Sequence, residues 1–227
     1  MSLHLTPRLQ TVADQVLPGA RLADIGTDHA YLPVCLLLEG VIDSAIAADL
    51  RPGPLSRAKE TAAQYGVSEK ISFRLCDGLS DIRSEEVDTI VIAGMGGDTI
   101  AAILESARWT KGKGIRLLIQ PMTAQMHLRK WLSGQGYSIE YERISCEGKR
   151  LYTIMNIMAG EMPQLSPGEL WAGRQSDDPL RGAYLDMMLG KARRILEGQR
   201  SAQRENAALI AELEQIIHEL IGMKKEL

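Results

Sequence analysis

The chain has 227 residues, 45% of them apolar and 24% charged, with a net charge of −3. That length suits one full core plus a small appendage, while the mild acidity and 4% aromatic content offer neither a global basic field nor an aromatic platform for single-stranded nucleic acid. Cys35, Cys76 and Cys146 are far apart, odd in number and without a C-x-x-C pair, which speaks against a disulfide framework or zinc site and for a reducing compartment.

The opening MSLHLTPRLQTVADQV lacks the continuous apolar core of a signal peptide, and no stretch approaches the roughly 20 apolar residues of a membrane span. The expectation is a cytoplasmic protein with no membrane partner. From residue 21 onward, apolar runs alternate with amphipathic stretches. Strands are predicted at Arg21–Ile25, Ser44–Asp49, Ile71–Cys76, Asp88–Ala93 and Ile115–Gln120, and helices at Leu32–Glu39, Pro54–Tyr65, Thr99–Ser106 and Met126–Ser133. Near-continuous apolar strands separated by helices argue for a parallel sheet covered on both faces. Tyr137–Cys146 and Arg150–Met158, separated by a short turn, predict an antiparallel hairpin at the sheet edge, giving a Rossmann-like α/β fold of seven strands.

Gly160–Pro167 loses periodicity and reads as a linker, dividing a domain over 1–160 from an appendage over 161–227. In the appendage, Leu185, Met188, Ala192 and Ile195 form one apolar seam and Leu209, Leu213, Ile216, Leu220 and Met223 another. The spacing predicts an antiparallel, coiled-coil-like helical hairpin with its turn at Gly198–Arg200.

In an open parallel sheet, ligands bind beyond the carboxyl ends of the strands. The residues collected there are small and acidic: Asp24, Gly26, Asp28 and His29 after the first strand, Asp49 at the end of the second, Asp77-Gly78 after the third, Gly94-Met-Gly96-Gly97-Asp98 after the fourth and Gln120-Pro-Met after the fifth. In LADIGTDHAYLP, Asp28 and Ala30 stand where a dinucleotide turn has its second and third glycines. Gly26 lets backbone approach a ligand, and Asp49, 23 residues later, is placed to accept ribose hydroxyls. Asp77 could take an adenine amine while Gly78 makes room for the ring. Asp24 and Asp28 would repel a pyrophosphate but attract an ammonium or sulfonium, which favours S-adenosylmethionine over NAD or FAD. The plainer readings are turns and helix caps: Asp49 or Asp98 as an N-cap, Asp77-Gly78 as a tight turn. His29 could meet cofactor, substrate or neither. His4, His127 and His218 read as ordinary surface or helix residues, and no metal site is expected.

With LADIGTDHAYLP, AADLRPGPLSRA, LCDGL, VIAGMGG and LIQPM in hand, the chain resembles the class I methyltransferases, and more closely the TrmK family of bacterial tRNA (adenine-N1)-methyltransferases. The resemblance implies methyl transfer from S-adenosylmethionine to N1 of adenine 22 in the D-loop region of tRNA. It implies a cofactor site at Asp24, Gly26, Asp28, His29, Asp49, Asp77, Gly78 and Gly94, with Arg8 as a partner for the methionine carboxylate. Adenine-N6 enzymes carry an Asn/Asp-Pro-Pro-aromatic tip after the fourth strand; AGMGGD has neither the prolines nor the aromatic. That tip is expected to be a loop offering bare backbone to the base. Asp28 and the carbonyls of Gly94, Gly96 and Gly97 are the candidates for transition-state stabilisation, and Tyr31 for contact with the acceptor base. On the helical hairpin, Arg193, Arg194, Arg200 and Arg204 could touch tRNA phosphates. The expected oligomeric state is a monomer. A small-molecule methyltransferase and a catalytically silent cofactor- or RNA-binding protein remain the alternatives.

Overall fold

A computed structural model describes residues 3–175, 177–202 and 206–227. Among them, seven strands form one sheet in the order β3-β2-β1-β4-β5-β7-β6. β1 (Leu22–Ile25), β2 (Ala45–Asp49), β3 (Ile71–Leu75), β4 (Thr89–Gly96) and β5 (Arg116–Thr123) run parallel. β7 (Arg150–Ala159) runs antiparallel to β5 and to β6 (Tyr137–Glu147). The period-2 alternation of the strands sorts their side chains between two cores. Ala23, Ile25, Ile90, Ile92, Leu117 and Ile119 pack with α4 (Gly97–Ser106) and α5 (Gln125–Gly134). Leu22, Ala45, Ala47, Val91 and Leu118 pack with α1 (Pro7–Ala13), α2 (Tyr31–Leu38) and α3 (Pro52–Gln64).

The linker expected over Gly160–Pro167 is irregular through Ser166, and a helix that the sequence reading did not place, α6 (Pro167–Ala172), follows it. Ser166 caps it, accepting from the Glu169 N–H while Glu169 accepts from the Ser166 N–H, a closed capping box. The strand β4 does not stop at Ala93: Met95 pairs with Pro121 and Gly96 with Thr123, so both β4 and β5 run on beyond the predicted ends. The break between the last two helices, α7 (Arg181–Arg200) and α8 (Ala207–Lys225), comes after Arg200, leaving Gly198 inside α7. Leu196, rather than the exposed Ile195, continues the α7 seam of Leu185, Met188, Leu189 and Ala192, since a straight helix drifts off a strict heptad.

The inner face of the α7–α8 pair is not self-contained. Ile144 of β6, Ala172 of α6 and the flanking Met126 and Leu151 share its core. Polar ties reinforce the junction: the Ile144 N–H donates to Asp178 at 2.7 Å and the Thr153 hydroxyl to the Tyr184 hydroxyl at 2.9 Å. No helix among the described residues is long and apolar enough to cross a membrane.

Candidate active site

Strand order reverses between β1 and β4, and a cavity of about 580 Å³ opens beyond their carboxyl ends. This is the crevice in which doubly wound sheets bind ligands. The turn after β1 forms its floor. Gly26, Asp28 and Ala30 all have positive φ, at 73°, 43° and 54°. The backbone therefore keeps the left-handed conformations of a glycine-rich turn while two of the three positions carry side chains, at a cost of about 1 kcal/mol each. At Gly26 no side chain would fit without displacing Met95.

Asp24 is 7% exposed, and its Oδ2 accepts a 2.7 Å hydrogen bond from the Thr27 hydroxyl. Burial lifts its carboxyl from the ordinary 3.8 to about 6, the Thr27 hydroxyl pulling it down and the Asp49 charge adding to the rise. Asp49, equally buried, accepts the Arg51 N–H at Oδ1, 2.8 Å away, leaving Oδ2 without a hydrogen-bond partner among the described residues. Asp77 and Gly78 line the cavity beside Cys76, where a Cβ on Gly78 would sit 3.0 Å from Ile103. At the mouth, Asp28 pairs with Arg57 at 2.6 Å, and the His29 ring stacks on Tyr31, centroids 5.0 Å apart.

Arg8 lines the opposite wall, reaching it because Thr6 caps α1 and Pro7 starts it. Its Nη1 donates to Gln120 Oε1 at 2.7 Å, and the Gly94 N–H donates to the same oxygen at 3.1 Å. Gln120 is fully buried, its Nε2 donating to the Pro121 carbonyl at 3.1 Å. One amide thus fixes both a cation on the wall and the last turn of β4. Sequence reasoning placed Gln120 at a strand tip without giving it this task; it also passed over Thr6, Leu9 and Thr99, which line the cavity too.

The cavity brings together Arg8, Asp24, Gly26, Asp28, His29, Tyr31, Asp49, Asp77, Gly78 and Gly94. It does not include Gly96 or Gly97: where a loop was expected, the strand runs on to Gly96 and α4 starts at Gly97. Gly96 is paired in the sheet, and Gly97 is buried where a Cβ would lie 2.8 Å from the Ala124 carbonyl oxygen. Gly97 is a close-packing glycine between α4 and the β5–α5 junction. Asp98 lies in the first turn of α4, whose N-cap is Gly96. Arg193 and Arg194 are exposed on α7 and do not line the cavity, and Arg204 lies outside the described residues. Among the described residues, no three His, Cys, Asp or Glu side chains group as metal ligands.

Comparison with known proteins fits this geometry. A family model described as a methyltransferase domain matches residues 5–155. The tRNA (adenine(22)-N(1))-methyltransferase of Bacillus subtilis is 41% identical over 159 residues, 70% of this chain and 67% of that protein. The solved B. subtilis m1A22 tRNA methyltransferase TrmK superposes with a TM-score of 0.86 at 34% identity, covering 98% of this chain and 99% of that one. TrmK of M. capricolum, solved with the cofactor product S-adenosyl-homocysteine, gives a TM-score of 0.79 at 27% identity over 97% of this chain and 98% of its own. The chain belongs to the methyltransferase domain family and, within it, to the TrmK family of tRNA (adenine(22)-N1)-methyltransferases.

Proposed function

We propose that this chain transfers the methyl group of S-adenosylmethionine to N1 of adenine 22 in tRNA. The observation that carries the reading is the pair of buried carboxylates, Asp24 and Asp49, at neighbouring strand tips above a turn shaped like a glycine loop. The donor set fits the cofactor. Asp49 Oδ2 is available to ribose hydroxyls, Asp24 to the ammonium, and Arg8, steadied by Gln120, to the methionine carboxylate. Asp77 and Gly78 flank the space for adenine. S-adenosylmethionine supplies an electrophilic methyl group on a sulfonium.

The protein's contribution is chiefly positioning, because N1 of neutral adenine already has a lone pair and needs no base to uncover it. Positive charge passes to the base as the bond forms, so carbonyls and carboxylates at the mouth stabilise the transition state. In this reading the Gly94 carbonyl serves there, on the strand end that Gln120 holds. Asp28 is partly compensated by Arg57, so it orients more than it stabilises. Tyr31 and His29, stacked at the rim, offer a flat surface to the incoming adenine, which must leave its stack at a cost of a few kcal/mol. Arg193 and Arg194 extend the contact along α7. A cytoplasmic setting agrees with a tRNA substrate.

The test is incubation with unmodified tRNA and methyl-labelled S-adenosylmethionine, followed by nucleoside mass spectrometry. Labelled 1-methyladenosine is expected; its absence across a full tRNA pool would overturn the reading. A second expectation concerns pH. The Asp24 carboxyl titrates near 6 in the free protein, above its unfolded value of 3.8, so free Asp24 is protonated at pH 5 and charged at pH 7. A bound ammonium favours the charged form, so cofactor affinity should rise as pH climbs through 6 and level off above it. Calorimetric titrations from pH 5 to 7.5 should show this rise, and Asp24→Asn should flatten it. The same shift makes Asp24 destabilise the free fold progressively between pH 4 and 6, the reverse of a salt-bridged carboxylate.

A further inference from the structure

The β6–β7 hairpin turns at the active-site end of the sheet. β7 pairs with β5 only from Met155 to Met158, opposite Ile119 to Arg116, while its pairing with β6 continues to Arg150. Residues 150–154 therefore have no β5 partner over about 15 Å at strand rise, although β5 runs on beside them to Thr123. The hairpin ends in a two-residue turn at Gly148 and Lys149, Gly148 having φ 63°.

The two faces of this segment belong to different parts of the molecule. On one, Tyr152 lies under the Arg8 guanidinium, 5.9 Å from its ring centroid, and Glu147 approaches Arg8 at 3.8 Å. Arg8 also lines the cofactor cavity. On the other, Leu151 and Thr153 face α7, Thr153 through its bond to Tyr184. The tip thus stands between the cavity wall and the C-terminal helical pair. A polyanion with one base in the cavity and its body along α7 must pass it.

The tip carries uncompensated positive charge. Lys149 and Arg150 are exposed, as is Arg143 further down β6, and none of the three has a carboxylate within ion-pair distance among the described residues. Arg143 rests on the Tyr141 ring, 5.4 Å from its centroid. On the helical pair, Arg200 is bound to Glu214 and Lys224 to Asp186, whereas Arg193 and Arg194 are exposed and, like the tip cations, have no carboxylate within ion-pair distance among the described residues. We propose that Arg143, Lys149 and Arg150 form the phosphate-binding surface that guides the tRNA backbone between the active-site mouth and the C-terminal helices. The proposal rests on tRNA being the substrate, and it adds the hairpin tip to the electrostatic surface that Arg193 and Arg194 continue along α7.

The experiment uses the full chain with Arg143→Gln, Lys149→Gln and Arg150→Gln together. A control set, Lys70→Gln, Arg108→Gln and Lys113→Gln, removes the same charge at the amino ends of the strands, away from the cavity. Dissociation constants for tRNA are measured between 50 and 200 mM salt, alongside cofactor affinity and melting temperature. Every phosphate that a variant no longer neutralises flattens the plot of log affinity against log salt by about 0.9. The tip variant should flatten it by about 2 to 3 and raise the KM for tRNA, with cofactor affinity, melting temperature and kcat at saturating tRNA unchanged. The control should keep the parent slope. A tip variant with the parent slope, or a control matching the tip, overturns the proposal. Arg143→Lys with Arg150→Lys should restore the parent slope; failure to do so with an unchanged fold also counts against it. A parent that binds cofactor but not tRNA would instead overturn the substrate reading itself.

Discussion

Glu142→Leu is expected to lower the melting temperature by about 10 °C, from a loss of about 3–5 kcal/mol. Arg129 on α5 and Glu142 on β6 are 0% and 2% exposed. Glu142 Oε1 accepts from Arg129 Nε and Nη2 at 3.0 and 2.7 Å, and its Oε2 accepts from the Arg174 N–H at 2.7 Å. Arg129 Nη1 donates to the Leu170 and Trp171 carbonyls at 3.0 and 3.3 Å, satisfying the end of α6. Burial alone would drive the guanidinium pKa down; the charges and hydrogen bonds of Glu142 and Tyr184 together outweigh it and hold it above the ordinary arginine value. Removing Glu142 leaves that cation buried and unpaired where α5, β6 and α6 meet. Arg129→Met combined with Glu142→Leu should recover much of the loss, because two apolar side chains carry no desolvation penalty. Thermal unfolding of the two variants checks this; a single variant within about 1 kcal/mol of the parent would mean the pair is not what joins the C-terminal helices to the sheet.

The second large effect is on ligand binding. Asp49→Ala should weaken S-adenosylmethionine about 100-fold, the scale of losing charge-assisted hydrogen bonds in a buried site. Because Oδ1 also accepts the Arg51 N–H, the alanine removes a structural acceptor too. Asp49→Asn keeps an oxygen for Arg51 and removes only the charge, so it should lose less affinity. Calorimetry on both, with melting curves, separates the roles. Cofactor affinity within threefold of the parent in a folded Asp49→Ala protein would remove Asp49 from the site.

The sheet and most of the cavity were legible because both depend on local signals. Apolar runs of strand length mark β1 to β5, and the acidic and small residues at their tips follow directly in sequence. The features that were not legible depend on distant partners. Gln120 looks like the last residue of an apolar run, yet its acceptor oxygen serves Arg8, 112 residues away, and Gly94, 26 away. The three glycines of AGMGG suggested a loop, whereas pairing with Thr123 keeps the backbone in the sheet through Gly96. A missed local signal was Ser166-Pro-Gly-Glu169, whose capping box starts α6 where the stretch that reads as linker ends. The unusual composition of LADIGTDHAYLP resolves the same way: Asp28 and Ala30 adopt the positive φ that glycines would supply, and Arg57 secures the first of them.

Two tRNA transcripts, one with adenine at position 22 and one with guanine there, are incubated with labelled S-adenosylmethionine and mapped by nuclease digestion and mass spectrometry. Labelled 1-methyladenosine is expected at position 22 of the first and none in the second. Label at another position, or equal label in both transcripts, would contradict it.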